Sequence, residues 1–329
     1  MSDKLQIKID GLTITAEEEP YIVMMNTIEP GEDLRQLRIR VSEDVKSYDR
    51  MYYTTDLKAV NFILKKLTLR SSSLIASKLN DQAEKDRVGV EQFAGGRFIT
   101  CFSHIDHEIA SFWGLYGGDV PHEKVLLKFK NFACNFSDLF HTDYCFLGDG
   151  SKLFFYSDEY RRTLKHNCEA GQMAGLMQIN TDYDIRNCIR SIEIFDVEYL
   201  PVKNEVFSQD YSGEARINWG NISENPQMVS KLKMYTPEYL GKQKSNPWYY
   251  EGESRILSCL DIQEFDEWAF IDLRLKEEIF RDLVVVMGPW AKPSLEAEIR
   301  GLLSASPINE EIKDSIVIVH SDLEGTLNF

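Results

Sequence analysis

The stretch W-Y-Y-E-G-E-S-R at 248–255 puts two carboxylates one residue apart, behind three aromatics and ahead of an arginine. If it is a strand, Glu251 and Glu253 share a face, because side chains alternate with period two. Like charges held side by side repel, so the pair needs a cation or a reaction that uses both. Arg255 falls on the same face by the same alternation and would offset the repulsion. Trp248, Tyr249 and Tyr250 promise an apolar wall, and a carboxylate held against one has a raised pKa or a cationic partner, as working sites do. Gly252 would let a ligand come close to the backbone. The plain alternative is a solvated strand edge, since exposed carboxylates are common.

Other candidates are weaker. H-I-D-H-E (His104 to Glu108) carries ligand types, but its spacing matches neither H-E-x-x-H nor a closed zinc set, and a polar loop is expected. G-L-Y-G-G-D-V (114–120) and Gly288-Pro289 have glycines without a phosphate-binding pattern and read as turns. Asn80 and Asp81 read as a turn pair as well. No G-x-S-x-G elbow occurs, which leaves hydrolases of that type without support. A metal-dependent nuclease or other hydrolase would have to draw on Asp81, Glu84, Glu251 and Glu253.

Composition narrows the class. The 329 residues are 43% hydrophobic and 12% aromatic, the balance of a globular protein with a full core. The formal charge of −16 repels duplex DNA and anionic membrane, so non-specific DNA binding is not expected. A local basic pocket remains open to Lys65, Lys66 and Arg70, or to Lys242 and Lys244. Six scattered cysteines without a C-x-x-C pair fit reduced thiols in a cytoplasm. Charges at the start of the chain and no bilayer-length apolar run predict a soluble, cytoplasmic protein with no membrane role.

The elements that must position these residues follow from periodicity. Residues 1–47 alternate and read as an N-terminal β extension. M-Y-Y-T-T-D, L-K-A-V-N-F-I-L-K-K-L and T-L-R-S-S-S read as strand, helix and strand, with Thr55 or Asp56 as the N-cap. F-I-T-C-F-S is a strand, I-A-S-F-W-G-L-Y a short helix, and V-L-L-K-F-K-N-F a strand. Residues 151–180 read as helical. A long strand ends at Pro201, and a polar insertion with short helices covers 203–245. R-I-L-S-C-L and D-L-V-V-V-M are strands, S-L-E-A-E-I-R-G-L-L a helix opened by Ser294, and S-I-V-I-V-H a last strand. The order does not alternate regularly, so the class is α+β.

Together these motifs resemble a large bacterial family catalogued as a domain of unknown function. The likeness covers roughly 48–329. It is carried by the tyrosine-rich start, the Asn80-Asp81 loop, C-F-S at 101–103, the tryptophan helix, W-x-Y-E-x-E-x-R at 248–255 and the V-x-x-G-P strand. The order of motifs is also similar to that of ADP-ribosyltransferases, whose split β-sheet core with flanking helices holds NAD between three strands. That resemblance implies NAD as the cofactor, with Tyr52, Tyr53 and Thr54 on the first strand and Arg70, Ser71 and Ser72 on the second. The third would carry Glu251 and Glu253.

On this reading Glu253 stabilises the oxocarbenium-like state as the nicotinamide–ribose bond breaks, and Glu251 serves the acceptor. Tyr249 stacks on the ring, and Arg70 or Arg255 supplies the charge for the pyrophosphate, because Tyr52 stands where most transferases have His or Arg. The resemblance implies a toxin or phage-defence effector modifying a macromolecular acceptor, protein or nucleic acid. A non-catalytic module that uses the pocket for another ligand is the alternative.

Overall fold

The computed structural model describes residues 37–75, 79, 81, 84, 96–133, 135–155, 188–200, 241–260 and 268–327, and the backbone of 5–9 and 12–16. Most of the helix expected over 151–180, residues 203–240 of the expected insertion, and Asn80 lie outside the described residues.

In chain order the elements begin with the hairpin β1 (Leu5–Ile9) and β2 (Leu12–Ala16), then β3 (Arg38–Val41) and α1 (Glu43–Lys46). The strand–helix–strand unit follows as β4 (Arg50–Asp56), α2 (Leu57–Lys66) and β5 (Thr68–Ser73). Next are β6 (Arg97–Ser103), α3 (Ala110–Leu115), β7 (Lys124–Lys130), α4 (Phe136–Leu139), β8 (Tyr144–Leu147) and β9 (Lys152–Phe155). After these come β10 (Cys188–Asp196), β11 (Glu198–Leu200), β12 (Gln243–Ser245), a 3₁₀ turn (Asn246–Glu251) and β13 (Glu253–Leu260). The chain continues through β14 (Phe270–Arg274), β15 (Val284–Met287), α5 (Leu295–Ala305), α6 (Glu310–Ser315) and β16 (Val317–His320). The fold is α+β: a large, mostly antiparallel sheet with few helices among the described residues.

The sheet has 12 strands, in the order β13-β10-β9-β8-β14-β5-β6-β4-β7-β15-β16, with β3 beside β10. A further pairing of β13 with β6 closes the run from β13 to β6 into a ring, from which β4, β7, β15 and β16 extend. The closing pair is long, Glu253↔Ser103 through Cys259↔Arg97. On its other edge β6 is shared. Phe98 and Ile99 pair with β5, whereas Ser103 pairs with Tyr52 of β4. Between those contacts β4 and β5 part, and side chains replace the ladder: Thr100 Oγ1 donates to the Arg70 carbonyl at 3.0 Å and lies 2.6 Å from Ser71 Oγ.

The apolar face of α2 (Val60, Ile63, Leu64) packs into a core rich in phenylalanine, with Phe98, Phe102, Phe129, Phe132, Phe136 and Phe280 all buried. Two expectations are corrected. Residues 152–155 form strand β9 rather than the start of a helix, and the strand expected to run to Pro201 breaks at Val197 into β10 and β11. Among the described residues no helix is long and apolar enough to cross a membrane.

The α2 start sets the direction of everything after β4. Asp56 is its N-cap, accepting from the Ala59 N–H at 2.7 Å. Asp56→Ala removes that acceptor and is expected to lower the stability by about 1 kcal/mol in urea unfolding. An unchanged midpoint would show that the cap contributes nothing.

Candidate functional site

Register alone assembles the floor of the site. Tyr52 lies opposite Ser103, Ser103 opposite Glu253, and Cys101 opposite Arg255. Period-two alternation then places Tyr52, Thr54, Cys101, Ser103, Glu253 and Arg255 on one face of β4, β6 and β13. Leu79, Glu84, Phe112, Tyr116, Lys244 and Glu251 wall this face to leave a cavity of about 120 Å³.

The two glutamates reach it by different routes, which corrects the reading of E-G-E as one strand. Glu251 ends the 3₁₀ turn, and Glu253 opens β13. Gly252 between them has φ of +46°, and a Cβ there would stand 2.5 Å from Ile105 Cγ1. Only glycine makes that elbow without strain. Its carbonyl accepts from the His104 N–H at 2.9 Å, which fixes the elbow to the end of β6.

Both carboxylates converge on Lys244, whose Nζ donates to Glu251 Oε2 at 2.5 Å and Glu253 Oε2 at 3.2 Å. Arg255 holds Glu253 from the other side, with Nε to Oε1 at 2.7 Å and Nη2 to Oε2 at 3.1 Å. Its Nη1 donates to Glu84 Oε1 and to the Gly241 carbonyl, and its Nη2 also donates to Glu84 Oε2. Tyr116 donates its hydroxyl to Glu251 Oε1. All these charged groups are buried. Burial of an ion costs several kcal/mol unless it is paired and hydrogen-bonded, so the network must be complete to exist at all.

The environments drive the two acids apart. For Glu253 burial acts to raise the pKa, but the Arg255 and Lys244 charges reverse this and hold it at about 2. For Glu251 burial wins over Lys244 and the carboxyl lies above its usual range. Burial also lowers the affinity of Lys244 for its proton, yet Glu253 and Glu251 outweigh it and keep the ammonium charged. Cys101 is exposed on the cavity face of β6, yet desolvation by the surrounding protein, then the Glu253 charge, hold its thiol well above the usual range.

Of the residues picked out in the sequence, the structure brings Tyr52, Thr54, Glu84, Lys244, Glu251, Glu253 and Arg255 to the cavity and leaves Tyr53, Arg70, Ser71, Ser72 and Tyr249 outside. Tyr53 alternates away from Tyr52, its ring packs on Phe102, and burial pushes its phenol up to about 12. Arg70 forms a bidentate pair with Asp272 at 2.9 and 3.1 Å and stacks 3.5 Å from the Phe270 ring centroid. Ser71 is buried against Thr100, and Ser72 pairs with Phe270 and Ile99 in the sheet. These three belong to the diverging strand β5, so they cannot face the floor. Tyr249 is 72% exposed and meets Tyr199 edge-on rather than a bound ring. Trp248 and Tyr250 do not line the cavity; the aromatic wall comes instead from Phe112 and Tyr116, one helical turn apart on and just after α3.

Asp81 accepts from Ser245 N at 2.5 Å and Oγ at 3.0 Å, which ties its loop to β12 and gives it a structural role. His104 stacks on Tyr48 and lies 3.2 Å from Ser254 Oγ. Gly117 and Gly118 turn the chain after α3. Among the described residues no three His, Cys, Asp or Glu side chains converge as metal ligands would. The carboxylates Glu84, Glu251 and Glu253 are each paired with Arg255 or Lys244.

No protein-family model matches the chain, and no similar protein was found among curated proteins or solved structures.

Lys244→Met should expose what the network balances. Without the ammonium, Glu251 and Glu253 gain folded-state pKa values above those of the parent. A carboxyl whose folded pKa lies above its unfolded value stabilises at low pH and loses that contribution as pH rises. The deficit against the parent is therefore expected to grow in urea unfolding as pH rises from about 2, where Glu253 ionises in the parent, through and above the ordinary carboxylate range, reaching about 3–5 kcal/mol. A deficit independent of pH would contradict the pairing.

Proposed function

We propose that the protein cleaves the nicotinamide–ribose bond of NAD in the manner of an ADP-ribosyltransferase and passes the ADP-ribosyl group to an acceptor. The observation that carries this reading is the convergence of Tyr52 and Thr54 from β4 with Glu251 and Glu253, some 200 positions later, in one cavity on the β6 face. The parting of β4 and β5 along β6 supports a split-sheet core of the kind such enzymes use. Membership of the bacterial family that the motifs resemble belongs to the same proposal.

The residues present fit one end of NAD. A cavity of about 120 Å³ is on the scale of a single six-membered ring, since one of about 150 Å³ takes up benzene. It fits the nicotinamide end and leaves the pyrophosphate outside. Inside there is no donor for phosphate on Arg255, because all five of its N–H groups are engaged. Breaking the bond develops positive charge on the ribose, and a buried carboxylate stabilises that charge where it forms.

Acceptor capacity decides which carboxylate does so. An ionised carboxylate has about four lone-pair sites. Glu253 fills three of them, with Arg255 twice and Lys244, and lies beside the Cys101 thiol, whereas among the described residues Glu251 accepts from Tyr116 and Lys244 only. The ribose role therefore passes from Glu253 to Glu251, and Glu253 becomes the fixed charge that orients Lys244 and Arg255. Tyr52 and Thr54 are placed to hold the carboxamide. With a charge of −16, a protein acceptor is favoured over nucleic acid, as for a toxin or phage-defence effector.

Incubation with NAD and chromatography of released nicotinamide tests the proposal. Glu251→Gln keeps the shape and is expected to cut release roughly a hundredfold while the protein stays folded. Glu253→Gln strands part of the Arg255 pairing and is expected to cost about 3–5 kcal/mol of stability. No release by the parent protein would end the NAD reading; parental turnover in Glu251→Gln would remove Glu251 from the chemistry.

A further inference from the structure

The cavity's charge identifies a ligand class without reference to any reaction. Among the described residues five acidic or basic side chains line it: Glu84, Glu251 and Glu253 against Lys244 and Arg255. With all five charged, the acids outnumber the bases by one (3 − 2 = 1). The cations have little left to offer a guest. Arg255 donates all five N–H groups to Glu84, Glu253 and Gly241, and Lys244 gives two of its three to the glutamates. The unfilled capacity among the described residues is accepting capacity, on Glu251 and on Glu84, each of which accepts two hydrogen bonds. The rest of the lining includes the aromatic rings of Tyr52, Phe112 and Tyr116, whose faces attract positive charge.

We propose that this cavity is a binding site for a compact planar organic cation, which it takes in preference to neutral or anionic molecules of the same shape. An anionic guest would meet three carboxylates, with one ammonium N–H and the neutral hydroxyls of residues such as Tyr52 and Thr54 to answer it. A neutral ring would gain contact area but leave the surplus negative charge uncompensated. A cationic ring compensates that charge, lies against Glu251 and uses the aromatic faces. The size, about 120 Å³, is on the scale of a single ring.

Three probes of nearly one shape decide it: 1-methylnicotinamide (cation), nicotinamide (neutral) and nicotinate (anion), each titrated calorimetrically into the parent protein. The cation is expected to bind roughly tenfold or more tighter than nicotinamide, a difference within reach of a desolvated cation on aromatic and carboxylate groups. Nicotinate is expected to bind weakest. Glu251→Gln should bring the cation and the neutral probe to roughly equal affinity, with its folding checked by circular dichroism. The ranking on the parent protein decides alone if that variant does not fold. Nicotinamide or nicotinate binding as well as the cation, or no binding by any of the three at millimolar concentration, overturns the proposal. Cation binding by a protein that releases no nicotinamide from NAD upholds it while removing the NAD reading.

Discussion

The structure turns on a buried guanidinium. Arg255 has no solvent to satisfy it, and its five N–H groups are met by Glu84, Glu253 and the Gly241 carbonyl. Those partners come from segments 171 and 14 positions away and from its own strand. An arginine stripped of even one of these would be a buried charge left partly unpaired, at a cost of several kcal/mol. Glu84, the chain before β12 and the start of β13 are thereby drawn to one point. Because Arg255 lies opposite Cys101 on β6, that point is fixed to the strand pair that closes the ring.

From this constraint the division between the two glutamates follows. Glu253 is on Arg255's own face and is filled by it, so its charge is permanent down to about pH 2. Glu251 reaches the network only through Lys244 and Tyr116 and keeps free lone pairs and a raised pKa. Two identical side chains two positions apart thus take different roles because of what surrounds them, the same logic by which paired carboxylates elsewhere divide acid and base work. The Gly252 elbow makes the division possible, since a regular strand would have put both side chains against Arg255.

What could be read from the sequence was what is local. The strand–helix–strand unit from Met51 to Ser73 was legible because its cap and periodicity lie within one window, and β6, β13 and β15 because they are apolar runs. The short strands Y-C-F-L, K-L-F-F and F-I-D-L-R gave no comparable signal, and the second was absorbed into an expected helix. At the site, the two glutamates stand out by type and spacing, whereas Tyr52 and Thr54 are implied only by the resemblance in motif order. Arg70, Ser71 and Ser72 were misplaced because their direction depends on where β5 leaves β6, a register that no local pattern encodes. Lys244 was visible only as half of a basic pair, seven positions before the glutamate it neutralises. Tyr116 stood at the end of a tryptophan helix, and its spacing from Phe112 by four was the available hint.

The most direct measurement is a carbon NMR titration of the side-chain carboxyls of Glu251 and Glu253, assigned by substitution. The account predicts that Glu251 titrates above the ordinary 4.5 and that Glu253 stays ionised until about pH 2. Two carboxyls titrating together near 4.5 would mean that both are solvated, and the buried network on which the site depends would not exist.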